Sequence, residues 1–186
     1  MFMISLKRSA GFSLIEVMVA LVVCAIGLLG LAKMESLALS STSVASARSI
    51  AAIEASSLGS AMHANPGYWA GGLAPATTTV YYKSSGALTI SDSGLSSAAT
   101  CTTAGTGSCS VGLMAAYDVQ QWAAALKTVL PGFYSTIQCS TTGFPVTCTV
   151  QIQWAENAVA ANAAQTGIGT GANNLAAPTY TLFVQP

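Results

Sequence analysis

The chain has 186 residues, 52% hydrophobic and only 6% charged, with six basic and six acidic side chains and a formal net charge of zero. So few cations exclude an electrostatic grip on nucleic acid, whose binding rests largely on neutralised phosphates. So little charge of either sign gives weak colloidal repulsion, which suits a packed assembly more than a freely diffusing enzyme. The length leaves room for one domain beyond a membrane helix. Near the start, Lys7 and Arg8 precede an apolar stretch from Phe12 to Ala32 whose single charged residue is Glu16. About 20 apolar residues suffice to cross a bilayer as one helix. A carboxylate inside such a segment costs roughly 2.5–3.5 kcal/mol on insertion scales, so it needs a partner. Nothing else in the span neutralises it, and the partner is therefore expected on another chain.

The residues Gly11-Phe12-Ser13-Leu14-Ile15-Glu16-Val17 resemble the processing site of type IV prepilins and of the pseudopilins of type II secretion. The resemblance implies a cytoplasmic leader of residues 1–11, cleavage by a prepilin peptidase between Gly11 and Phe12, and N-methylation of Phe12. Glu16 then becomes the fifth residue of the mature chain, the position that family reserves for an acid. The physical reading agrees. A free α-amino group at Phe12 is a cation at neutral pH, and a carboxylate one turn away on a straight helix does not easily fold back onto it. Glu16 is expected to pair instead with the Phe12 amine of a neighbouring subunit, setting register because an unpaired buried charge is expensive. The basic residues precede the span, as expected for a cytoplasmic N-terminus. An ordinary secretory signal has an apolar core of about 7–15 residues and a small-residue exit; this run is longer, carries an acid and has no such exit before Lys33.

Residues 12–34 are thus expected to form the transmembrane part of a helix that continues into a periplasmic domain, residues 35–186. Leu37, Val44, Ala51 and Leu58 recur every seven residues, with Ala47, Glu54 and Ala61 alongside and Ile50, Ile53 and Met62 widening the stripe. No proline interrupts the run, which predicts one amphipathic helix from Phe12 to Ala64, roughly 80 Å long at 1.5 Å per residue. Asn65-Pro66-Gly67 stops it. Gly27 and Gly30 each weaken the helix by about 1 kcal/mol relative to alanine. They serve either a segment that stretches, as the resemblance implies, or close packing of membrane helices.

Beyond the stem, Thr77–Tyr82 and Ala87–Ile90 have strand propensity, with Ser84-Ser85-Gly86 as a hairpin turn. Asp92 to Ser110 is small and polar, a loop. Asp118 with Gln121 fits a capping box, predicting a helix that begins there, carries Trp122, Leu126, Val129 and Leu130, and ends at Pro131-Gly132. Phe133–Cys139 and Val146–Trp154 read as strands flanking a turn at Ser140–Pro145, and Thr179–Val184 as the last strand. The fold class is α+β, with the long helix and one further helix packed on a small, mainly antiparallel sheet.

Cys24 lies in the span as a small apolar filler. The remaining four cysteines permit three pairings. Cys101–Cys109 and Cys139–Cys148 are favoured because each pair is close in sequence and the second flanks the hairpin turn. Metal binding is the rival, but the chain has no Cys-x-x-Cys and one histidine, His63, so no metal or cofactor site is expected and the cysteines point to an oxidising compartment. An enzyme triad would have to use His63 on the stem helix. Gly167-Ile168-Gly169-Thr170-Gly171-Ala172 lacks the Gly-Lys-Ser/Thr ending of a nucleotide loop and leads into Asn173-Asn174, so it reads as a surface loop. Trp69, Trp122 and Trp154 read as core or interface aromatics.

Two further stretches are similar to the PilV-type minor pilins, the type IV pilus modification proteins. One is Ala61-Met62-His63-Ala64-Asn65-Pro66-Gly67-Tyr68, with Ser60 and His63 where that group carries arginines. The other is Asp118-x-x-x-Trp122 followed by Leu126 and Leu130-Pro131-Gly132. The resemblance covers residues 11–35, 55–68 and 116–132. It implies a non-catalytic minor pilin that primes pilus assembly at the tip or base and ends on the cell surface. Its partners would be other minor and major pilins, the prepilin peptidase, the inner-membrane assembly machinery and membrane lipid. The alternative is a minor pseudopilin of a type II secretion system.

Overall fold

The computed structural model describes residues 11–98, 101, 109–155 and 177–186; Gly167–Ala172 and Asn173-Asn174 lie outside them. The chain divides into two compact units, Met1–Leu39 and Ser40–Pro186. Helix α1 (Leu14–Ala64) contributes to both. The second unit adds β1 (Thr77–Tyr82), β2 (Leu88–Ile90), α2 (Val111–Val129), β3 (Tyr134–Cys139), β4 (Cys148–Gln153) and β5 (Thr179–Val184). The five strands form one sheet in the order β2-β1-β3-β4-β5, every neighbouring pair antiparallel. This is the α+β arrangement read from the sequence: long helix, second helix and antiparallel sheet.

Strand alternation sorts the side chains onto two faces. Thr78 and Val80 of β1, Ser135, Ile137 and Cys139 of β3, and Cys148, Val150 and Ile152 of β4 are buried on the inner face. Both helices cover that face. A Cβ added at Gly59 of α1 would lie 3.3 Å from Leu182 and Val184 of β5, so the missing side chain lets this helix approach the sheet closely. Trp122 of α2 donates its indole N–H to the carbonyl of Glu54 in α1 at 2.9 Å and meets Phe133 edge-on. Lys127 of α2 sits 4.2 Å from the centre of the Tyr82 ring on β1, a cation–π contact. The Asn65 side chain, buried just after α1, donates to the Val111 carbonyl at 2.7 Å, tying the end of one helix to the start of the other.

Three details depart from the sequence reading. First, α2 begins at Val111, not at Asp118: Ser110 is the N-cap and its hydroxyl accepts from the Leu113 N–H. Asp118 lies inside the helix, half-buried, and desolvation raises its carboxyl above the usual carboxylate range. An acid followed by glutamine three residues later cannot by itself distinguish a cap from a helix interior. Second, Ile53 is exposed, because it lies about 200° around the helix from Ala51. The buried stripe is Ala51, Ala55, Leu58, Gly59 and Met62. Third, the polar segment after β2 contributes Leu95 to the core. Asp92 accepts from the Leu95 N–H at 2.8 Å, and Gln120 of α2 donates to the Leu95 and Ser97 carbonyls.

The hairpin turns follow their residues. Gly86 has φ +82° where its N–H bonds the Lys83 carbonyl and Lys83 N–H bonds that of Ala87, a turn position that favours glycine. Disulfides join Cys101 to Cys109, immediately before the Ser110 cap, and Cys139 to Cys148, which are directly paired across β3 and β4.

Candidate assembly site

Helix α1 begins at Leu14. Ser13 precedes it, and the Ser13 carbonyl accepts from the N–H groups of Glu16 at 3.0 Å and Val17 at 3.3 Å. Ser13-Leu14-Ile15-Glu16 has the spacing of a capping box, a signal the sequence reading passed over in favour of the charge itself. Glu16 therefore lies in the first helical turn, where the partial positive end of the helix favours an anion. Phe12 and Gly11 precede the helix, with Phe12 82% exposed.

Glu16, Ala20 and Cys24 follow at intervals of four and share one helix face, with Phe12 just ahead of the helix. With Val17 and Leu21 they line a shallow groove of about 330 Å³. Glu16 is the single charged residue in that lining. From Leu14 to Leu31 the large apolar side chains are exposed. Among the described residues, α1 is the one helix long and apolar enough to cross a membrane. Gly27 and Gly30 leave the helix unbroken, and open space surrounds the positions their side chains would fill.

The other singled-out residues lie elsewhere. His63 is exposed in the last turn of α1. Trp69, Trp122 and Trp154 are all buried; Trp69 and Trp154 have no hydrogen-bond partner for the indole N–H among the described residues. No three His, Cys, Asp or Glu side chains converge among the described residues.

Residues 6–32 match the family model described as the prokaryotic N-terminal methylation motif. No curated protein and no solved structure matches the chain. The motif supports a type IV pilin-like protein, a pilin or pseudopilin, and with the apolar helix it fits a single-pass membrane subunit. It implies processing by a prepilin peptidase and assembly with other pilins; subunits bearing it are generally structural.

Proposed function

We propose that this chain is a minor type IV pilin, a non-catalytic subunit that helps prime pilus assembly. In this reading residues 1–11 are a cytoplasmic leader removed between Gly11 and Phe12, Phe12 is N-methylated, residues 12–34 span the inner membrane and residues 35–186 are periplasmic until the subunit enters the filament. The observation that carries it is Glu16, one carboxylate four residues beyond Phe12 in an exposed apolar stretch, Phe12–Ala32, with no other charged side chain. In hydrocarbon that acid needs a cation, and the processed Phe12 amine of an adjacent subunit supplies one at the right depth. The pairing neutralises both groups and fixes the axial stagger between subunits.

The minor role draws support from the two stretches similar to PilV-type pilins, each of which is bonded to the helix that carries or adjoins the other. The Asn65 end of α1 bonds Val111, and Trp122 of α2 bonds Glu54. The disulfides suit an oxidising periplasm. A minor pseudopilin of a type II secretion system would use the same physics. Deleting the gene separates the two: loss of surface pili with normal enzyme export is expected, whereas intact pili with enzymes held in the periplasm would transfer the assignment to secretion.

A further inference from the structure

The outward face of the sheet carries a regular array that the assembly reading does not use. Strand register aligns its residues in rows. Thr77, Gln138, Thr149 and Phe183 form the first; Thr79, Thr136, Gln151 and Thr181 the second; Tyr81, Tyr134, Gln153 and Thr179 the third. None bears a formal charge. Neighbours across strands are about 4.8 Å apart and successive rows about 7 Å apart. Both helices lie on the opposite face. The polar side-chain atoms of Thr136, Gln138, Thr149, Gln151 and Gln153 make no hydrogen bond among the described residues, in contrast to the inward Ser135, whose hydroxyl donates to the Gln151 carbonyl. Tyr81 and Tyr134 stack at 5.5 Å with 28° between their planes, and Phe183 stands 80% exposed at the diagonal corner.

We propose that this face binds an extended neutral glycan. Charge selects first: three rows with no cation have little hold on nucleic acid or another polyanion, and with no anion little on a polycation. Hydrogen bonding selects next. Hydroxyl, phenol and carboxamide groups each both donate and accept, which matches a polymer of neutral hydroxyls. Threonine is stiff at χ1, so the threonines of the array lose little side-chain entropy on contact. The tyrosine pair and Phe183 offer flat rings for the apolar faces of sugar rings, roughly 17–20 Å apart by sheet geometry, the reach of a short oligosaccharide. A second protein subunit fits poorly, since the central row is threonine and glutamine where protein interfaces concentrate apolar and aromatic anchors.

The proposal does not depend on the filament reading, because the second unit carries the face by itself. The test is retention of the full-length chain, held in a detergent without a sugar headgroup, on microcrystalline cellulose and on chitin, with heparin beads as the polyanion control. Retention on one or both neutral polymers and none on heparin is expected. Thr136→Lys, which puts an unpaired charge in the central row, should lower retention roughly tenfold. Tyr134→Ala should lower it about three- to tenfold, and Phe144→Ala, exposed but in the β3–β4 turn, should leave it unchanged. Gln151→Glu serves if Thr136→Lys melts early. Three results overturn the proposal: no retention on either neutral polymer, equal retention on heparin, or retention indifferent to Thr136→Lys and Gln151→Glu in folded protein. Loss of filament incorporation by Thr136→Lys without any glycan retention would make the face a subunit interface, and would also overturn it.

Discussion

The two parts of α1 obey opposite rules. Between Leu14 and Leu31 its large apolar side chains point outward and its single acid has no cation beside it in the sequence, whereas further on Ala51, Ala55, Leu58, Gly59 and Met62 are buried. Both parts are helical without a proline, so backbone propensity does not separate them. What separates them is where each finds its partners: the second part within its own chain, and the first, in the proposed reading, in lipid and in other copies. A stability measurement on one chain therefore reports on the second part and is nearly blind to the first.

That contrast can be broken at either end. The largest effect is expected from Glu16→Ala, which leaves the neighbour's Phe12 amine unpaired in the filament core at a cost of about 3–5 kcal/mol. Immunoblots of sheared filaments should show a drop of more than tenfold in incorporation, with membrane insertion and domain melting unchanged; normal incorporation would end the pairing account. Trp122→Ala should do the reverse, removing the α2–α1 indole bond and its packing on Phe133 at about 3–5 kcal/mol. Thermal unfolding of a fragment starting at Ser40 reads this directly, and a loss below 1 kcal/mol would show that the two helices are held by something else. A smaller loss, about 2–3 kcal/mol by loop-closure reasoning, is expected when Cys139→Ser and Cys148→Ser are combined. Unchanged melting would mean that the β3–β4 pairing is sufficient without the bridge.

The strands were the most legible part of the second unit, because β1, β3, β4 and β5 combine strand-favouring residues with turn residues at both ends, and Gly86 marks the β1–β2 turn. The stop of α1 at Asn65-Pro66 was equally plain. The start of α2 was not: Ser110 caps a first turn containing Gly112, whose low helix propensity hides the turn, while Asp118 offers a false start further on. Leu95 was hidden for a different reason. A lone apolar residue in a polar segment has no period to betray it, and its burial comes from Asp92 and Gln120, which are distant from each other in sequence. At the assembly site the charge, the aromatic and the apolar run were readable because each is a local property of the chain. The Ser13 start of the helix went unread although its spacing was there. The uncharged outer face required strand register, which a sequence pattern supplies for one strand at a time but not for how five align.

If Glu16 acts beside a newly exposed Phe12 amine, intact-mass analysis of the protein extracted from its native membrane should find a chain that begins at Phe12 and is heavier than the unmodified species by one CH2, the net gain of an N-methylation. A chain still carrying Gly11 joined to Phe12 would contradict that role for Glu16.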